Sequence, residues 1–104
     1  MTDTTRQAPT LDMLRARRTE ILALAERYGA YNLRVFGSVA RGDAKLDSDV
    51  DLLVNFHEGA SLFELSGFWQ DLQDLLGVGV DIVEDHTGLR ERFRRRIMKD
   101  VTTL

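Results

Sequence analysis

The chain contains no cysteine, which removes disulfides and thiolate chemistry and fits a reducing compartment. It also lacks any apolar run approaching the roughly 20 residues that a membrane-spanning helix needs. Residues 1–10 are polar and carry no hydrophobic stretch of the kind a secretory signal requires, so the expected location is cytoplasmic. An excess of positive charge is missing too: the formal net charge is −3, which gives no overall argument for nucleic acid. No internal repeat or low-complexity linker divides the sequence. What remains is the size and composition of one small domain, 104 residues at 43% hydrophobic content, enough for a modest core. Residues 1–9 are expected to form a flexible lead-in to it.

Against these absences stands one dense constellation. Gly37-Ser38 is followed after ten residues by Asp49-Val50-Asp51, and much later by Asp81 inside a second apolar run. Asp49 and Asp51 belong to a β-branched, apolar stretch, and the period of two in a strand points both carboxylates to one face. Two like charges held that close call for a cation between them, because otherwise they repel and one takes up a proton. Hard oxygen ligands favour magnesium or manganese. Upstream, Leu33, Val35 and Phe36 read as a short strand ended by Gly37-Ser38, where a glycine permits a tight turn and close approach of a ligand. The next residues, Val39-Ala40-Arg41, read as one helical turn whose first N–H groups face the same place, and Gly42 would stop it. A triphosphate fits that description, with the Ser38 hydroxyl as a donor and Arg41 as a counter-charge.

The remaining pattern alternates helices with strands. Thr10 is placed to cap a helix over residues 11–28, with Asp12 in its first turn and Leu11, Leu14, Ile21, Leu22, Ala25 and Tyr28 at helical spacing until Gly29. Strands are expected over residues 33–36, 50–56 and 78–83. Ser61 and Glu64 form a capping box ahead of a helix over residues 62–76 that ends at Gly77. A last helix over residues 89–101 sets Leu89, Phe93 and Ile97 four apart among six basic residues. Together these argue for an α/β fold, a sheet layered with helices.

The residues now quoted resemble a known family. Phe-Gly-Ser-Val-Ala-Arg-Gly at 36–42, Asp-Ser-Asp-Val-Asp-Leu-Leu-Val at 47–54 and Val-Asp-Ile-Val at 80–83 look like the minimal nucleotidyltransferases of the DNA polymerase beta superfamily. The resemblance runs from about residue 11 to the end, and it implies a small mixed β-sheet with the turn and the aspartates converging at one edge. It further implies that Gly37 and Ser38 grip nucleotide phosphates, that Asp49 and Asp51 hold two metal ions, Mg2+ or Mn2+, and that Asp81 shares one of them where an acceptor hydroxyl is activated. Small free-standing members typically act beside a HEPN-domain RNase toxin. The resemblance thus implies an antitoxin that transfers AMP from ATP to a tyrosine hydroxyl of that partner. The arginine, histidine and tyrosine motif of the HEPN RNase does not occur in this chain. Larger relatives add a second domain that builds the acceptor pocket, so here the acceptor surface is expected from the partner. The alternative of another class is a non-catalytic antitoxin or nucleotide-binding subunit that neutralises its partner by binding alone.

Other residues carry plainer expectations. Asp43 and Asp47 suit turns, Ser48 suits the loop, Trp69 suits core or interface, and Glu84 and Asp85 suit a solvated strand end. His57 and His86 lack metal-ligand spacing. The arginine-rich last segment reads either as a solvated face or as a surface for an acidic partner, the nucleotide or RNA phosphates. Direct nucleic-acid binding is not expected of the domain as a whole. Homo- or hetero-oligomerisation stays open, since the helix over residues 62–76 carries more apolar surface than one small core needs.

Overall fold

The computed structural model describes residues 7–86 and 88–104. Residues 1–6 of the expected flexible lead-in lie outside the described residues, while Pro9 is buried. In chain order the elements are α1 (Leu11–Ala16), α2 (Arg18–Arg27), β1 (Ala30–Phe36), α3 (Gly37–Arg41), β2 (Val50–Phe56), α4 (Leu62–Leu76), β3 (Val80–Glu84), α5 (Glu91–Met98) and β4 (Thr102–Thr103). The sheet is mixed, in the order β3-β2-β1-β4. β1 runs antiparallel to β2 and β4, and β2 runs parallel to β3.

Local chemistry accounts for most boundaries. Thr10 caps α1 by accepting from the Met13 N–H at 3.1 Å. At α4, Ser61 Oγ accepts from the Phe63 N–H while the Ser61 N–H donates to Glu64 Oε2 at 2.8 Å, the reciprocal pair of a capping box. The expected single first helix is in fact two, broken at Arg17 (φ −107°, ψ 16°). No proline or glycine marks that break. Its side chain instead donates to the Leu75 carbonyl at 3.2 Å and bonds Glu20, contacts with no local signature.

The two faces of the sheet differ. Leu33 and Val35 of β1, Val50, Leu52 and Val54 of β2 and Val80 of β3 face α2 and α4, meeting Ile21, Ala25, Phe68 and Leu72 in the core. Each fully buried Leu, Val or Phe side chain there contributes roughly 1.5–3 kcal/mol. Alternation along the strands then turns Arg34, Phe36, Asp51, Leu53, Asn55 and Asp81 to the opposite face. α5 borders that second face, with Ile97 its buried residue. No helix among the described residues is long and apolar enough to cross a membrane.

Candidate active site

The site is built by sheet register. In the parallel pair β2/β3, Asp51 stands directly beside Asp81, and Val50 beside Val80. In the antiparallel pair β1/β2, Asp51 stands opposite Phe36, the last residue before Gly37. Asp49 precedes β2 by one residue, where the Val50 N–H donates to the Gly79 carbonyl at 2.9 Å. The register therefore brings Asp49, Asp51 and Asp81 to the leading ends of two neighbouring strands, with Gly37 and Ser38 on the other flank of β2.

Two glycines make room for two of these carboxylates. A Cβ on Gly37 would overlap the Asp51 carboxylate, and a Cβ on Gly79 would overlap that of Asp49. Gly37 has a second reason to lack a side chain, its φ of +76°, in the region where L-residues are strained. The turn expected here is a five-residue helix, α3, which begins at Gly37 itself and stops at Gly42 in the left-handed conformation (φ 82°). Val39 anchors α3 in the core, which leaves Ser38 and Arg41 on its accessible side.

The Asp51 carboxyl is raised to about 6, by burial first and then by the charges of Asp81 and Asp49, with Arg41 opposing them. A carboxylate titrating that near neutrality is one whose charge lacks compensation. Among the described residues, no three acidic or imidazole side chains stand close enough together, as placed, to enclose an ion. The donor set is nonetheless all hard oxygen, two of its members are register neighbours, and the repulsion they carry is the kind a divalent cation relieves. These residues fit such an ion in their chemistry.

Arg41 is engaged within the fold. Its Nε donates to Asp43 at 3.2 Å and its Nη1 to Asp100 at 3.1 Å, fastening α3 to the turn after α5. Ser48 does loop work, accepting from the Lys45 N–H at 2.8 Å. Asp85 departs from the solvated strand end expected of it. It is 13% exposed and binds Arg34 of β1 at 3.2 Å and Arg94 of α5 at 3.1 Å. Arg34, itself buried, also donates to Asn55 and to the Asn32 carbonyl.

The family model for the nucleotidyltransferase domain matches residues 19–102. The chain belongs to that family. It is 41% identical over 78 residues to the protein adenylyltransferase MntA of Thermococcus cleftensis, covering 75% of this chain and 78% of that one. A solved structure assigned as a minimal nucleotidyltransferase matches with a TM-score of 0.80 and 48% identity, over 92% of this chain and 97% of that one. The same fold recurs at 15% identity and a TM-score of 0.63 in the complex of a tri-AMPylated Shewanella oneidensis HEPN toxin with its MNT antitoxin, over 86% and 69% of the two chains. Its mixed sheet is thus that of a nucleotidyltransferase domain, similar to the minimal nucleotidyltransferase structure it matches.

One member of the candidate site escaped sequence reasoning. Gly79 carries no motif of its own, yet it lies one step before the Val50/Val80 pair and makes the space that Asp49 fills. Its signal was its position two residues ahead of Asp81, which repeats the spacing of Asp49 and Asp51 on the neighbouring strand.

Proposed function

We propose that this nucleotidyltransferase transfers AMP from ATP to a hydroxyl, a tyrosine's, on a partner protein of the HEPN RNase type, and thereby acts as its antitoxin. The observation that carries the reading is the register pairing of Asp51 with Asp81 beside a glycine turn that abuts Asp51. The relative named as a protein adenylyltransferase supports the type of transfer, and the structures of HEPN toxins with MNT antitoxins support the type of partner. A toxin–antitoxin structure of this fold with AMP-PNP, at 18% identity and a TM-score of 0.68, fits ATP as the donor.

Asp49, Asp51 and Asp81 would hold Mg2+. When bound, such ions supply charge neutralisation at the transferring phosphate and lower the pKa of an acceptor hydroxyl. The chain's own residues then have definite tasks. Ser38 and the backbone N–H groups after Gly37 hold the β- and γ-phosphates so that the leaving group points away from the acceptor. Asp81, on the exposed side of the carboxylate set, is placed to take the proton of an incoming hydroxyl. Arg41, fixed by Asp43 and Asp100, presents its remaining Nη2 as a counter-charge for phosphate. Asp81 is exposed on the second face of the sheet, and the acceptor surface there is left to the partner.

Intact-mass analysis of the partner after incubation with this protein, ATP and magnesium tests the reading. A gain of one or more AMP units that disappears in the Asp49→Ala, Asp51→Ala variant is expected. A stable complex with no mass gain would replace transfer by inhibition through binding.

A further inference from the structure

α3 and α5 enclose a small cavity of about 170 Å3 beside the phosphate turn. Phe36, Gly37 and Arg41 line it from one side, and Phe93, Arg96 and Ile97 from the other. Two arginines from different elements thus line one space, together with Asp100. Asp100 is spent on Arg41 Nη1. Among the described residues Arg96 has no ion-pair partner, in contrast to Arg94, which is held by Asp85, and Arg95, which approaches Glu91 at 3.6 Å. Two cations converging with one carboxylate between them leave the cavity positive, which favours an anion there.

The location says which anion. Gly37 lines this cavity, and the missing side chain of Gly37 is what lets the Asp51 carboxylate come up against it. A group in the cavity is therefore one residue away from the reacting end of the site. The volume is below the roughly 300–1,000 Å3 of complete small-molecule sites, so the cavity takes a part of its ligand rather than the whole. Resting on the reading of the site as an ATP-dependent transferase, we infer that this cavity receives the β- and γ-phosphates of ATP and that Arg96 of α5 is a positioning residue for the leaving pyrophosphate. The planar fork of a guanidinium can grip two phosphate oxygens at once. Phe93 and Ile97 form an apolar wall that lowers the local dielectric and strengthens that grip.

The test compares Arg96→Ala with Arg92→Ala, a cation on the same helix that does not line the cavity, both measured by calorimetry with ATP, AMP and inorganic pyrophosphate in magnesium buffer. Arg96 is exposed, so its removal spares the core. Arg96→Ala is expected to weaken ATP and pyrophosphate by about tenfold or more, the size of a charge-assisted contact, with AMP unchanged and Arg96→Lys recovering part of the loss. Arg92→Ala should leave all three ligands within about twofold of the native protein, as a screened surface charge does. Equal weakening of ATP and AMP, or an equal loss in Arg92→Ala, would overturn the inference in favour of a diffuse basic surface for an acidic partner or RNA. Unchanged ATP binding in Arg96→Ala would overturn it as well while leaving the transferase reading intact. Failure of the native protein to bind ATP at all would sink both.

Discussion

Gly79 occupies the position where any side chain would overlap the carboxylate of Asp49, so a residue without functional groups sets the location of a functional one. The space is made by absence, and its value can be measured.

Gly79→Ala should fold, because Gly79 is not among the positive-φ residues and alanine meets no backbone penalty there. It should nevertheless displace Asp49 and lower AMP transfer by on the order of 10²-fold, as small misplacements of reacting groups do. Near-native thermal unfolding together with that loss is the expected pair of results. Full activity would show that Asp49 tolerates displacement.

Gly37→Ala adds a second penalty. The left-handed backbone at φ +76° costs a non-glycine residue about 1–2 kcal/mol, and the new methyl also presses on Asp51. Urea unfolding should register a lower midpoint than for Gly79→Ala, with activity lost in both.

The raised Asp51 carboxyl gives stability a definite pH trend. Its pKa of about 6 in the folded protein lies above the ordinary value of 3.8, so the folded state binds the proton more tightly than the unfolded chain. That contribution is complete below the unfolded value and is lost as pH rises through about 6. Asp51→Asn should flatten this stretch of the stability–pH curve. Magnesium should stabilise the native protein more above that range than below it, since the cation competes with the proton. The single tryptophan, Trp69, whose indole N–H donates to the Val80 carbonyl at 2.6 Å next to Asp81, offers a fluorescence probe for both titrations.

Asp85 acts with the opposite sign. Arg94 and then Arg34 hold its carboxyl below the usual range against the effect of burial. Its contribution is present above the unfolded pKa and lost as pH falls through the lowered one. Asp85→Ala leaves the Arg34 guanidinium, whose side chain is 11% exposed, without its counter-charge and should destabilise by about 3 kcal/mol, the scale for breaking a buried pair. Asp85→Asn, which keeps one acceptor for Arg34, should lose less. Equal stability of native protein and Asp85→Ala would remove the strut between β1 and α5.

How much of this was legible from the residues depends on whether the cause was local. β2 and α4 could be delimited in advance because a β-branched run, a capping box and a terminating glycine all act within a few residues. The site motif was legible for the same reason, since Gly37-Ser38 and Asp49-Val50-Asp51 each sit inside one turn or strand. The break at Arg17 was not, because it depends on a carbonyl 58 residues away. β4 was missed because two threonines become a strand only through their pairing with Arg34 and Val35. α5, expected over residues 89–101, spans Glu91–Met98. The role of Asp85 was hidden likewise, its partners lying on β1 and α5.

Asp51 and Asp81 belong to the ladder of β2 and β3 rather than to flexible loops, and this binds chemistry to topology. A slip of one residue between those strands would turn Val50, Leu52 and Val54 to the second face and carry Asp51 into the core. A sheet with that register slipped does not bring Asp51 and Asp81 side by side. Mutations that only weaken the fold should therefore reduce the amount of active protein and leave the turnover of each folded molecule unchanged.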